Sequence, residues 1–138
     1  MLNAMTAFRD PPAIEAGMNA VLKKEVALVD GSRLLLSAGQ KDGQTRKLAF
    51  EFVSAHFDEL MRGHPSIFGL DFGSFLPRVG ESFCDANSRD DLHGFFGPRL
   101  EKYTGARRAL AQVLEGIDLC IANKRSQQES VIAFLKRR

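Results

Sequence analysis

The sequence predicts an all-α fold, and three observations carry that reading. Apolar residues recur on a helical period in several separate stretches. The clearest is Leu110, Val113, Leu114, Ile117 and Ile121, at relative positions 0, 3, 4, 7 and 11. The stretches are joined by short polar or Gly/Pro-containing connections. Only one run, Glu25 to Asp30 (EVALVD), reads as a strand, and no second run pairs with it, so an extended link between helices is preferred there. About seven helices result. Successive amphipathic helices on short turns favour antiparallel neighbours, in a bundle or as stacked pairs in an α-solenoid. No repeat is visible at the residue level, so a solenoid would be irregular.

The elements follow in order. Met1 to Phe8 reads as the end of a helix begun upstream. Asp10 offers an N-cap, with Pro11 and Pro12 in the first turn, where a missing N–H costs little. Ile14, Met18, Val21 and Leu22 give a short amphipathic helix, and Lys23 and Lys24 suit its negative C-terminal end. Gly31 to Gly39 is a short buried helix around Leu34, Leu35 and Leu36, and Gln40 to Gln44 is a polar turn. Thr45 to Met61 forms one long helix with Ala49, Phe52, Val53, His56, Phe57, Leu60 and Met61 on its inner face. It ends at Gly63-His64-Pro65, because the residue before a proline avoids the helical region. Gly69 to Asp85 repeats the 0, 3, 4, 7, 11 pattern at Phe72, Phe75, Leu76, Val79 and Phe83, with Pro77 obscuring the start. Ser88 and Asp91 form a capping-box variant for a helix that turns Leu92, Phe95 and Phe96 inward and stops at Gly97-Pro98. A long helix follows Gly105. A second box, Ser126 with Glu129, opens a last helix bearing Val131, Ile132, Phe134 and Leu135.

At 138 residues the chain is one domain with a real core, 1–138. Its 44% hydrophobic and 26% charged content is that of a globular protein rather than a disordered one. The net charge of +2 is too small to imply a polyanion partner, and the basic excess is confined to Lys124, Arg125, Lys136, Arg137 and Arg138. No aromatic residues interleave with that cluster to form a stacking platform, so nucleic acid is not expected as a partner. No apolar run of about 18 residues exists, so no membrane span is expected. Met1 to Pro12 lacks the pattern of a signal peptide. Cys84 and Cys120 both lie in apolar, helix-like contexts and read as buried free thiols, and the cytoplasm is favoured as compartment.

No catalytic, cofactor-binding or metal-binding residue stands out. The three histidines, His56, His64 and His93, form no H-E-x-x-H pair. His56-Phe57-Asp58-Glu59 begins like the inverted motif H-x-x-E-H, but Leu60 occupies the last position, and His56 reads as a core-edge histidine. Cys84 and His93 lack a second pair to complete a tetrahedral site. There is no G-x-S-x-G, and Gly69 to Gly73 (GLDFG) has neither the spacing nor the lysine of a phosphate loop. Asp58-Glu59 and Asp90-Asp91 are adjacent pairs that point apart on a helix and read as surface charge. The seven phenylalanines from Phe57 to Phe96 read as core.

Five segments come in the order and spacing of a known domain: FRDP (Phe8 to Pro11), EVALVD, LAFEFVSAHFDEL (Leu48 to Leu60), SFCDANSRDDLHGFF (Ser82 to Phe96) and GARRALAQVLEGIDL (Gly105 to Leu119). Together they resemble the C-terminal helical domain of zinc aminopeptidases of the aminopeptidase N and puromycin-sensitive type. The closing VIAFLKRR is similar to the end of bacterial members. The family often has tryptophan where this chain has Phe50, Phe57, Asn123 and Phe134. The resemblance implies an α-superhelix of HEAT-like helix pairs that closes over a separate catalytic domain and walls a peptide chamber. It implies as partners that catalytic domain of the parent chain and the peptide substrate. Zinc, in the presumed parent, and the motifs that hold it and bind the substrate's N-terminus lie in parts this chain lacks. No family role is carried onto Arg78, Arg89, Arg107 or Arg108, and the chamber-lining residues are unassigned. A free-standing helical-repeat adaptor that binds a protein or peptide is the alternative. Apolar surface left near the N-terminus by missing neighbours would favour self-association.

Overall fold

The computed structural model describes residues 10–40, 44–63, 66–67 and 70–136. Among them are six α-helices: α1 (Pro11–Leu22), α2 (Leu28–Gly39), α3 (Gln44–Ala55), α4 (Phe57–Gly63), α5 (Ala86–Arg99) and α6 (Ala106–Leu135). Two short 3-10 helices, Phe72–Ser74 and Leu76–Gly80, lie between α4 and α5. The fold is all-α. The only described strand pairing is a two-residue antiparallel contact, Ser66–Ile67 (β1) against Leu70–Asp71 (β2). The helix expected over Met1 to Phe8, and any apolar surface near it, lie outside the described residues, as do 41–43, 64–65, 68–69 and 137–138.

α1 has Asp10 at its N-cap position and prolines in its first turn, although the Asp10 side chain makes no capping bond. Ile14, Met18 and Val21 are buried. Lys24 takes a left-handed φ of 58° and the Glu25 N–H donates to the Ala20 carbonyl at 3.0 Å, which closes the helix. The extended link is shorter than expected, because α2 begins at Leu28, where Gly31 was the expected start. The Gly31 N–H reaches back to the Ala27 carbonyl at 2.8 Å, so EVALVD divides between link and helix. The single helix expected over Thr45 to Met61 is instead two, α3 and α4, separated at His56. Backbone bonds still run through the break, His56 N–H to Phe52 O at 3.0 Å and Leu60 N–H to His56 O at 2.9 Å.

The largest departure is over the helix expected from Gly69 to Asp85, where no α-helix forms among the described residues 70–85. Phe72, Leu76, Val79 and Phe83 are all buried, as their spacing required, but the first three lie on two 3-10 turns and Phe83 on the non-helical segment that follows them. Pro77 removes a backbone donor that a continuous α-helix would need and suits the first positions of the second turn instead. That turn touches α2, α3, α5 and α6, and so joins the α1–α3 side of the molecule to the α5–α6 side. An aromatic cluster reinforces the join. Phe50 of α3 meets Phe83 and Phe95 edge-on at 5.9 and 6.0 Å. Phe57 of α4 meets Phe95 and Phe96 of α5 at 5.7 and 6.2 Å.

α5 starts one turn earlier than its expected cap. Its N-cap is Asp85, which accepts from the Ser88 N–H and hydroxyl at 2.8 Å each, so Ser88 is the inner partner of the box rather than the cap. α5 also runs past Gly97 and carries Pro98 inside its last turn, ending when the Leu100 N–H meets the Phe96 carbonyl. α6 is one helix of 30 residues. The expected start at Ser126 is absent: the Ser126 hydroxyl donates back to the Asn123 carbonyl at 3.0 Å and the helix continues. Leu110, Val113 and Ile117 are buried as the stripe predicts, whereas Val131, Ile132, Phe134 and Leu135 are 43–63% exposed.

Two glycines give opposite predictions. A Cβ on Gly39 would meet the Val79 carbonyl oxygen at 2.3 Å, whereas one on Gly116 meets nothing within 4 Å. By denaturant unfolding, Gly39→Ala is expected to destabilise by about 1–3 kcal/mol, and Gly116→Ala to stabilise by up to about 1 kcal/mol. A second prediction concerns the α5 cap. The Ser88 backbone bond, then its hydroxyl bond, hold the Asp85 carboxyl below its ordinary range. A depressed folded value means that the stabilisation is present above the unfolded pKa of about 3.9 and is lost as pH falls through the folded value. Asp85→Ala should cost about 1 kcal/mol at neutral pH. Unfolding curves of the two proteins should converge as the pH is taken below about 4.

Candidate functional site

The residues singled out by their chemistry are scattered over the fold. His56 sits between α3 and α4 with Nδ1 3.6 Å from Glu59 Oε2, and His93 is exposed on α5. His64 lies outside the described residues. Among the described residues no group of three His, Cys, Asp or Glu side chains is placed to hold a metal ion, so nothing there fits the zinc of the aminopeptidase resemblance. Asp58, Glu59, Asp90 and Asp91 are exposed. Phe57, Phe72, Phe83 and Phe96 are buried and Phe75 and Phe95 half-buried, so six of the seven phenylalanines are core; Phe68 is not among the described residues.

The cysteines overturn their sequence reading. Cys84 and Cys120 are joined in a disulfide with Cα atoms 5.4 Å apart. Cys84 lies in the non-helical segment before α5 and is half-buried, and Cys120 is exposed. The reading failed because it placed Cys84 in a helix-like context and took the apolar surroundings of both cysteines in sequence as burial. Cys120 falls one step off the line Leu110–Val113–Ile117–Ile121, at the edge that faces the start of α5. Close by, Arg89 of α5 grips Asp118 of α6 with two bonds, Nε to Oδ1 at 2.6 Å and Nη2 to Oδ2 at 3.0 Å. That grip holds the Asp118 carboxyl below its ordinary range. Arg89 Nη1 also reaches Asp90 at 3.2 Å. Both fasteners act on the α5–α6 pair at the place where α6 leaves the body of the domain.

Three surface cavities differ in charge. One of about 270 Å³ between α1 and α3 is bordered by Glu15, Glu51 and His56 over Met18 and Phe52. One of about 470 Å³ between α5 and α6 has His93, Glu101 and Arg107 around an apolar floor. The third, about 290 Å³, lies at the start of α6 and is bordered by Ser74, Arg78, Glu81, Gly105, Arg108 and Gln112. Arg78 Nε donates to Glu81 Oε1 at 2.8 Å, and Arg108 has no ion-pair partner among the described residues. Sequence reading could not assemble this cavity, because its walls come from the 3-10 region and from α6, about thirty residues apart. One local signal existed: Thr-Gly-Ala-Arg-Arg at 104–108 opens a long helix with glycine at the capping position.

The disulfide closes a loop of 36 residues. Paired Cys84→Ser and Cys120→Ser substitution is expected to lower stability by about 3–4 kcal/mol. Denaturant unfolding of the wild type with and without dithiothreitol should show the same loss, and the double variant should be indifferent to reductant.

No curated protein matches the chain. The sequence model of the ERAP1-like C-terminal domain matches residues 1–119, which takes in α1 to α5 and the gripped half of α6. The match, the all-α fold and the packing residues on which five ordered segments lie agree, and the chain belongs to the ERAP1-like C-terminal domain family, the non-catalytic C-terminal part of aminopeptidases.

Proposed function

We propose that this domain covers the active site of a zinc aminopeptidase and forms a wall of the chamber that holds its peptide substrate. Family membership over residues 1–119 carries the reading. In this role the domain supplies shape and surface rather than reacting groups. Its partners are the catalytic domain of the same parent chain and the peptide within the chamber, and the zinc is held by that other domain. The chain's own contribution is a rigid, closely packed body: the buried Leu76–Gly80 turn and the α5–α6 fasteners keep its helices in fixed relation. A superhelical stack of helix pairs is the arrangement that would present a concave face to such a chamber.

A second reading, a free-standing adaptor, draws on the exposed Val131, Ile132, Phe134 and Leu135, an apolar set at the end of α6 suited to a protein partner or a second copy. One experiment separates the two. The purified chain is expected to hydrolyse no aminoacyl chromogenic substrate, with or without added zinc. Expressed together with the catalytic segment encoded in frame upstream, it is expected to restore turnover of peptides that the segment alone handles poorly. Zinc-dependent hydrolysis by the chain alone would overturn the proposal. A stop codon and ribosome-binding site directly before the Met1 codon would transfer it to the adaptor.

A further inference from the structure

We propose that the Cys84–Cys120 disulfide is an exchangeable bond, opened at Cys120 by a dithiol reductant, and that its redox state sets how far along α6 the helix is fastened to the domain. The inference is independent of the chamber reading and rests on where the two sulfurs lie. Cys120 is exposed on α6, whereas Cys84 is half-buried in the non-helical segment before α5. Thiol–disulfide exchange needs a thiolate to reach the sulfur it attacks, and exposed disulfides are the labile ones. Access is unequal here, so the attack falls on Cys120. One thiolate of the dithiol bonds to Cys120 Sγ. The Sγ–Sγ bond breaks, and its electron pair leaves on Cys84 Sγ, which takes a proton from water. The second thiolate of the reductant attacks the reductant's own sulfur in the mixed disulfide and releases Cys120, which is protonated in turn. The dithiol leaves as a disulfide, having lost the two electrons and two protons that the cysteines gain.

The placement of the bond decides what opening it does. The buried residues of α6 are Ala106, Leu110, Val113 and Ile117, and all precede Cys120. Beyond Cys120 only Ile121 is half-buried, and residues 122–136 are exposed. On the other side of the bond, buried Phe83 and the Asp85 cap hold the start of α5 without it. Reduction therefore leaves the core packing in place and removes the covalent hold on the helix after Ile117. The fastener that remains there is Arg89 with Asp118, an exposed ion pair that solvent and salt weaken. Val131, Ile132, Phe134 and Leu135 lie on the part of α6 that is released, and each is exposed. A short helix without packing is marginal in water. The oxidised chain presents this apolar set on a helix bonded to the segment before α5, and the reduced chain presents it on one that frays.

The test is amide hydrogen exchange of the full chain, oxidised and after dithiothreitol, without denaturant. Dithiothreitol is expected to reduce the folded protein. Amides at 118–124 should then exchange about tenfold faster or more, as loss of a crosslink at that point requires. Amides of α1 and α5 should keep their protection. A variant carrying both Cys84→Ser and Cys120→Ser should show the reduced pattern whether or not dithiothreitol is present. Should that variant fail to fold, the two states of the wild type still decide. Brief treatment with glutathione, a monothiol, followed by iodoacetamide, should leave glutathione on Cys120 and the alkyl group on Cys84. Resistance to dithiothreitol until the chain is denatured would overturn the proposal and make the bond a fixed staple. Loss of protection throughout α1 to α5 on reduction would do the same, as would unchanged exchange at 118–124 in the reduced chain. Glutathione found on Cys84 instead would overturn Cys120 as the attacked sulfur.

Discussion

A backbone-to-backbone approach decides how this domain holds together. At the end of α2, Gly39 lies so close to the Val79 carbonyl that even a methyl group has no room, and Val79 belongs to the short turn Leu76–Gly80. On its other side the same turn meets Leu92 of α5 through Gly80, where a Cβ would lie 2.6 Å from Leu92 Cδ1. Leu76, Pro77 and Val79 are buried between the two sides. A five-residue turn thus does the work of a central helix, because a 3-10 turn is narrow enough for two layers to close around it. The aromatic cluster of Phe50, Phe57, Phe83, Phe95 and Phe96 fills the space beside it.

Much of the fold was legible in the sequence wherever one helix face is wet and the other dry. The 0, 3, 4, 7, 11 spacing on α6 and the Ile14–Met18–Val21 face of α1 both appear as buried stripes. The same spacing misled over Phe72 to Phe83. Successive 3-10 turns separated by Phe75 bring residues three and four apart to one side, much as an α-helix does, and only Pro77 signalled the difference. Capping signals proved ambiguous for a related reason. Asp85, Ser88 and Asp91 stand three residues apart, so two boxes compete, and the chain uses the first, where the carboxylate can accept both Ser88 donors. Ser126 and Glu129 look like a helix start, but nothing there breaks α6, and a serine hydroxyl on a continuous helix can turn back to its own carbonyls.

The candidate sites were legible to a different degree. Family membership rests on packing residues spread along the chain, which periodicity already exposes. The disulfide and the cavity at the start of α6 join positions about thirty residues apart, and no local pattern encodes such a meeting. Cys84 and Cys120 approach because the segment before α5 ends beside α6, and Ser74 and Arg108 line one cavity because the first 3-10 turn packs against α6. The disulfide depends on how α5 and α6 lie together, which is set by tertiary contacts such as Arg89 with Asp118, and the cavity depends on how the 3-10 turns pack on α6.

α6 is held along its first half, from Ala106 onward, and the hold ends at 117–121. Ile117 is buried, Asp118 is gripped by Arg89, Cys120 is bonded to Cys84, and Ile121 is half-buried. From residue 122 to 136 every side chain is exposed. This makes the helix a lever with its fulcrum at 117–121 and an arm of roughly 20 Å, at 1.5 Å per residue. A tilt of about 10° at the fulcrum, too small to disturb the core greatly, carries Phe134 and Leu135 through about 3–4 Å over an arm of that length. The apolar end of α6 is therefore the part of the domain whose position reports most sensitively on the clamp that holds it.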